Sequence, residues 1–118
     1  MKTYLAVFTG TQESRKKSGW DDLAEDDRKA REQKGIKAWG EWMRRHAGDL
    51  AFPGAPLGKT TFVSNDGVSE ISNALSGFVV IKAESKEAVA EKFLNHPHFT
   101  IFPGDGVEIM ECLPIPGA

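Results

Sequence analysis

What chemistry the 118-residue sequence offers lies in three histidines, one cysteine and a tryptophan cluster. His46 closes a helical stretch, and Asp66 sits in the turn Asn65-Asp66-Gly67. An imidazole and a carboxylate in one apolar pocket form a proton-transfer pair, because burial raises the basicity of the carboxylate. His46 and Asp66 are therefore the candidate catalytic residues, against structural readings of a helix-end cation and a turn former. Trp39, Trp42 and Met43 form the densest aromatic cluster, the wall a small-ligand pocket needs. Trp39 and Met43 fall on a helix stripe with Ile36, whereas Trp42 is rotated off it. His96-Pro97-His98 places two imidazoles on one face of an extended segment, a spacing zinc accepts, but no third ligand lies nearby. No metal site is assigned, and Pro97 reads as a helix stop. Cys112 has no neighbour that would activate it and reads as a small buried hydrophobe. No phosphate loop or nucleotide fingerprint is present, and no cofactor is expected.

The elements that must position these groups follow from periodicity. Tyr4–Thr9 alternates and stops at Gly10, so it is a strand. Gly10–Gly19 is polar and reads as a loop. From about Asp27 to Ala47, apolar residues recur at helical steps, with Arg44, Arg45 and Gly48 as stop signals. Asp49–Leu57 contains Pro53 and Pro56, which restrict it to an edge strand or a loop. Lys59–Ser64 is β-like, and the stretch from the following turn to Ser76 is irregular. Gly77–Ala83 is a buried strand, and Ser85 caps the helix that follows. His98–Phe102 reads as a short strand, and Gly106–Leu113 closes the chain before the proline-rich tail. The order is β-α-β-β-α-β, a single ferredoxin-like α+β domain over residues 1–118. Right-handed crossovers put both helices on one face of the sheet. The other face is mostly apolar, and Glu108 and Tyr4 are read as pointing to it as ligand contacts. A homodimer with two sheets face to face would cover that surface, giving a dimeric α/β barrel.

Composition narrows the partners. A net charge of −2 provides no footprint for nucleic acid. No apolar run reaches membrane-spanning length, and the N-terminal segment is too quickly broken for a signal peptide. One cysteine excludes an internal disulfide, and the default location is the cytoplasm.

Three segments resemble the YCII-related (DGPF-type) family of small dimeric α/β-barrel proteins. They are Ala38-Trp39-Gly40-Glu41-Trp42-Met43 with the Gly48-Asp49-Leu50 and Gly54-Ala55-Pro56-Leu57 that follow, Leu75–Ser85 leading into Glu87-Ala88, and His96-Pro97 followed by Val107-Glu108-Ile109. The resemblance implies a ferredoxin-like fold, a dimer and a pocket at the sheet–helix junction. It also implies either a cofactor-free lyase or isomerase acting on a small organic substrate, or a non-catalytic binding or regulatory module. Two positions depart from the family pattern. The naming motif reads Asp66-Gly67-Val68-Ser69 here, and Lys37 stands where members with a proposed activity carry the histidine of a His–Asp dyad.

Overall fold

A computed structural model describes residues 1–117. The elements are β1 (Lys2–Thr9), α1 (Gln12–Ser18), a 3-10 turn (Trp20–Asp22), α2 (Glu25–Arg45), β2 (Leu50–Pro56), β3 (Thr60–Ser64), β4 (Gly67–Ile71), β5 (Leu75–Ala83), α3 (Lys86–Phe93), α4 (Pro97–Thr100) and β6 (Gly106–Glu111). Four strands form an antiparallel sheet in the order β2-β5-β1-β6, the ferredoxin-like arrangement. β3 and β4 pair only with each other, through a two-residue turn at Asn65 and Asp66.

The expected dimeric α/β barrel is not what this chain forms. Both sheets are open. In the larger one β2 and β6 are edges that do not meet. β2 cannot extend a ladder outward: Pro53 and Pro56 lack N–H donors, and its register with β5 shifts twice. β6 ends just before Pro114.

Two short helices replace expected irregular or extended chain. α1 forms because Thr11 and Ser14 cap one another reciprocally, each side-chain oxygen accepting the other's backbone N–H at 3.0 Å. Arg15, Lys16 and Lys17 in its last turn suit the helix dipole. α4 forms where a strand was read because Pro97 starts a helix rather than stopping one. A proline at the first helical position costs no hydrogen bond. The stretch after the Asp66 turn, expected to be irregular, is β4.

The core lies between one sheet face and the helices. Tyr4, Ala6 and Phe8 of β1 pair with Ile81, Val79 and Gly77 of β5. Trp42 of α2 and Val89 and Phe93 of α3 pack onto that face. Tyr4 is thus 2% exposed beneath the helices, not on the free face where it was placed. Alternation divides a strand into two faces but does not say which one a helix covers. The opposite face carries Leu5, Val7, Phe78, Val80 and Met110, with Phe52 stacked 6.0 Å from Phe78. The molecule is 18 Å thick in its shortest dimension, room for one sheet and one helix layer, so this face is bare. Glu108 lies on it, paired with Val7 and exposed. None of the helices is long and apolar enough to cross a membrane.

Candidate functional site

On the helix side, a slot of about 260 Å³ lies at the β2–β5 end of the sheet. Phe8 and Val79 form its floor, Trp39 and Met43 of α2 one wall, and the Pro53–Pro56 bend of β2 another. That bend depends on Gly54. It sits at φ +72°, and a Cβ there would overlap the Phe78 carbonyl, so only glycine lets β2 wrap inward. The slot is predominantly apolar, and its one titratable side chain is His98.

His98 is held from several sides. Its Nε2 lies 2.7 Å from the carbonyl oxygen of Thr9, which only accepts, so Nε2 carries the proton and Nδ1 is the basic nitrogen. Its ring centroid is 5.0 Å from Phe8 and 6.0 Å from Trp39, the latter at 88°. Gly104 closes against the ring so tightly that any Cβ there would overlap it. Burial lowers the His98 pKa, while the Thr9 carbonyl and the Asp105 carboxylate oppose the shift. A neutral imidazole with a fixed tautomer in an apolar slot can take a proton from an acidic group of a ligand and return it.

His96 has a different task. It is 1% exposed, and its Nδ1 accepts the backbone N–H of His98 at 3.0 Å, capping α4. Nε2 must then carry the proton, and it has no conventional partner. The rings of Trp39 and Trp42 pack against the His96 ring at 4.6 and 4.8 Å, with interplanar angles of 90° and 70°. Burial, with His98 and His46 nearby, lowers the His96 pKa to about 3. Nδ1 is thus taken by the α4 cap, and Nε2 is sealed in the core. Among the described residues no group of three or more His, Cys, Asp or Glu side chains is arranged to hold a metal ion.

The remaining expected site residues are dispersed. Trp39 and Met43 line the slot. Trp42 does not: it is 3% exposed in the core, with its indole N–H donating to the Lys92 carbonyl at 2.8 Å. The helix stripe therefore runs through Gly35 and Trp42, while Ile36 is 54% exposed. His46 caps the end of α2, 4.7 Å from Trp42, in a separate crevice beside Lys92 and Asn95. Burial, Lys92 and Arg45 lower its pKa, and Asp49 opposes them. Asp66 is exposed in the β3–β4 turn, where its N–H donates to the Ser64 side chain. No hydrogen bond or ion pair joins His46 to Asp66 among the described residues, and neither lines the slot. The hairpin projects as an arm of its own rather than folding over α2, which leaves the carboxylate in water. Tyr4 is in the core and Glu108 is on the bare face.

Sequence reasoning did not place His98 and Phe8 on the slot. The signal for His98 was present in His96-Pro97-His98, once Pro97 is taken as the first residue of a helix and His96 as its cap.

The fold and the slot define a class: a ferredoxin-like α+β protein with an apolar pocket between the sheet and its longest helix. No family model matches the sequence, and no curated protein matches it significantly. Among solved structures the chain is similar to the 5-chloro-2-hydroxyhydroquinone dehydrochlorinase of Burkholderia phenoliruptrix in complex with 2,5-dihydroxybenzoquinone, with a TM-score of 0.52. The similarity covers 92% of this chain and 90% of that one at 15% identity, a level that shows a shared fold. Of the fold implied by the resemblance to YCII-related proteins, the ferredoxin-like strand order is present and the barrel is not.

Proposed function

We propose that the chain binds a small hydroxylated aromatic or quinonoid molecule in the Trp39 slot and moves a proton on it without a cofactor, in a lyase or isomerase type of reaction. The observation that carries this reading is His98: a buried imidazole, its tautomer set by Thr9, on an aromatic-walled slot the size of one substituted ring. Nδ1 would accept the proton of a ring hydroxyl, and the electron pair left on oxygen would delocalise into the ring. The shared fold with a dehydrochlorinase bound to a dihydroxybenzoquinone supports the ligand class. The expected experiment is a fluorescence titration with hydroquinone, in which Trp39 reports on the slot. Binding is expected to be lost in Trp39→Ala. His98→Gln should keep binding while slowing hydrogen–deuterium exchange at the ring carbons by about a hundredfold or more. Equal turnover in His98→Gln would remove the catalytic role.

A binding-only role is favoured by one observation: His98 has no carboxylate hydrogen-bonded to it, and the opposing field of Asp105 does not outweigh burial. It predicts saturable binding with no chemical change in the bound ring.

We also infer that the chain self-associates through the sheet face that no helix covers, where half-buried Leu5, Phe78 and Val80 and exposed Met110 leave an apolar surface. Sedimentation at low micromolar concentration is expected to show a two-copy species that Val80→Glu dissociates. A wild-type chain that stays single at high concentration would refute it. A cytoplasmic location is part of the same proposal; Cys112 is exposed and unpaired.

A further inference from the structure

Beside the slot lies a broader hollow of about 570 Å³, lined by Gly10, Thr11, Gln12, Arg15, Asn73 and the loop of Pro103 and Gly104. Ser76 and His98 line both hollows, so the two adjoin, with the imidazole between them. The halves differ in chemistry. The slot is apolar and flat-walled. The broad half presents side-chain amides, the hydroxyls of Thr11, Ser72 and Ser76, and a guanidinium. No Asp or Glu lines either half, and Arg15 is the one permanently charged residue among those lining the cleft.

We propose that the broad half is an anion subsite in which Arg15 receives the carboxylate of an aromatic acid whose ring occupies the Trp39 slot. The proposal deepens the ring-binding reading and rests on it. Arg15 Nε and Nη2 donate to Asp21 at 2.8 and 2.9 Å, which leaves Nη1 without a protein partner. The pair is a surface one, with side chains 51% and 61% exposed. Ion pairs so exposed contribute little, so exchanging Asp21 for a ligand carboxylate costs little. A guanidinium accepts that exchange well, because its planar fork matches either carboxylate in two parallel hydrogen bonds. Lys16 and Lys17, also in the last turn of α1, add positive potential on the same helix. Asn73 is not the recognising group: its Oδ1 accepts from Leu75 N–H, and its Nδ2 donates to Thr60.

The test is calorimetric titration of the full chain with hydroquinone and with its carboxylate, gentisate, at low salt. Gentisate is expected to bind about tenfold more tightly, a preference typical of a charge-assisted contact. Arg15→Gln should abolish that preference and leave hydroquinone affinity unchanged. Asp21→Asn, which frees the guanidinium, should tighten gentisate about threefold and leave hydroquinone alone. Both substitutions are at exposed positions, and unchanged melting temperatures would verify the fold. If hydroquinone binds in a Trp39-dependent way but gentisate gains nothing, or keeps its gain in Arg15→Gln, the anion subsite is refuted and the slot stands. If neither compound binds, the slot itself is refuted, and the subsite falls with it.

Discussion

Trp42→Ala is expected to cost about 3–5 kcal/mol of folding stability, the range for removing a large buried aromatic side chain. The indole is 3% exposed and packs 4.9 Å from Phe93 and 4.8 Å from His96 between α2 and α3. Truncation opens a cavity at the centre of the helix layer and removes the donor to the Lys92 carbonyl at the end of α3. That loss is a large share of a total that is generally about 5–15 kcal/mol in small domains. A fall in melting temperature on the order of 10–20 °C should follow, read by circular dichroism. A shift of only a few degrees would show that the helices are held together elsewhere. The same geometry makes Trp42→Ala a poor probe of ligand binding, because any lost binding would come from the damaged fold. Trp39→Ala removes a slot wall and is the better probe.

Acid should destabilise the protein more steeply than carboxylate titration alone would. The His96 pKa is about 3 in the folded chain, lowered first by burial and then by His98 and His46. In the unfolded chain it returns to about 6.5. The unfolded state therefore binds more protons between those values, and stability falls as pH drops through that window. Above pH 6.5 the two states differ little. Linkage gives a loss of about 2 kcal/mol between pH 7 and pH 5, growing toward pH 3. His98 and His46 are lowered too and act in the same direction. His96→Asn separates the terms, since asparagine caps a helix without titrating. Urea melts from pH 7 to pH 4 should show a shallower decline in that variant than in the parent chain. Equal slopes would mean that His96 is accessible to protons in the native state.

Elements that owe their form to local chemistry were legible in the sequence. β1 and β5 alternate, and α3 begins at Ser85, whose side chain accepts the Ala88 N–H at 3.1 Å. Pro53 and Pro56 restricted their segment to an edge strand or a loop, and it is the edge strand β2. α1 was illegible because its reciprocal cap uses Ser14 where a glutamate would be the usual signal. α4 was illegible because a proline after a helix reads equally as a stop and as a start.

The buried face of α2 shows where local pattern ran out. Its spacing admits two stripes, through Ile36 and Trp39 or through Gly35 and Trp42. Trp39 and Met43 of the first do pack against the core, but Ile36 is exposed, and Gly35 is buried because Phe102 comes down on it so closely that a side chain there would collide with its ring. That contact joins segments far apart in the chain and leaves no periodic trace.

The sequence by itself determined the alternating strands, the long helix and the caps, since each depends on residues within one or two turns of each other. Tertiary structure alone decided which sheet face the helices cover, and so where Tyr4 and Glu108 lie. It alone separated Asp66 from His46 and assembled the cleft from Phe8, Trp39, the Gly54 bend and His98. The reason is physical: local preferences set the shape of each segment, whereas the meeting of distant segments is settled by which apolar surfaces pack without leaving a void.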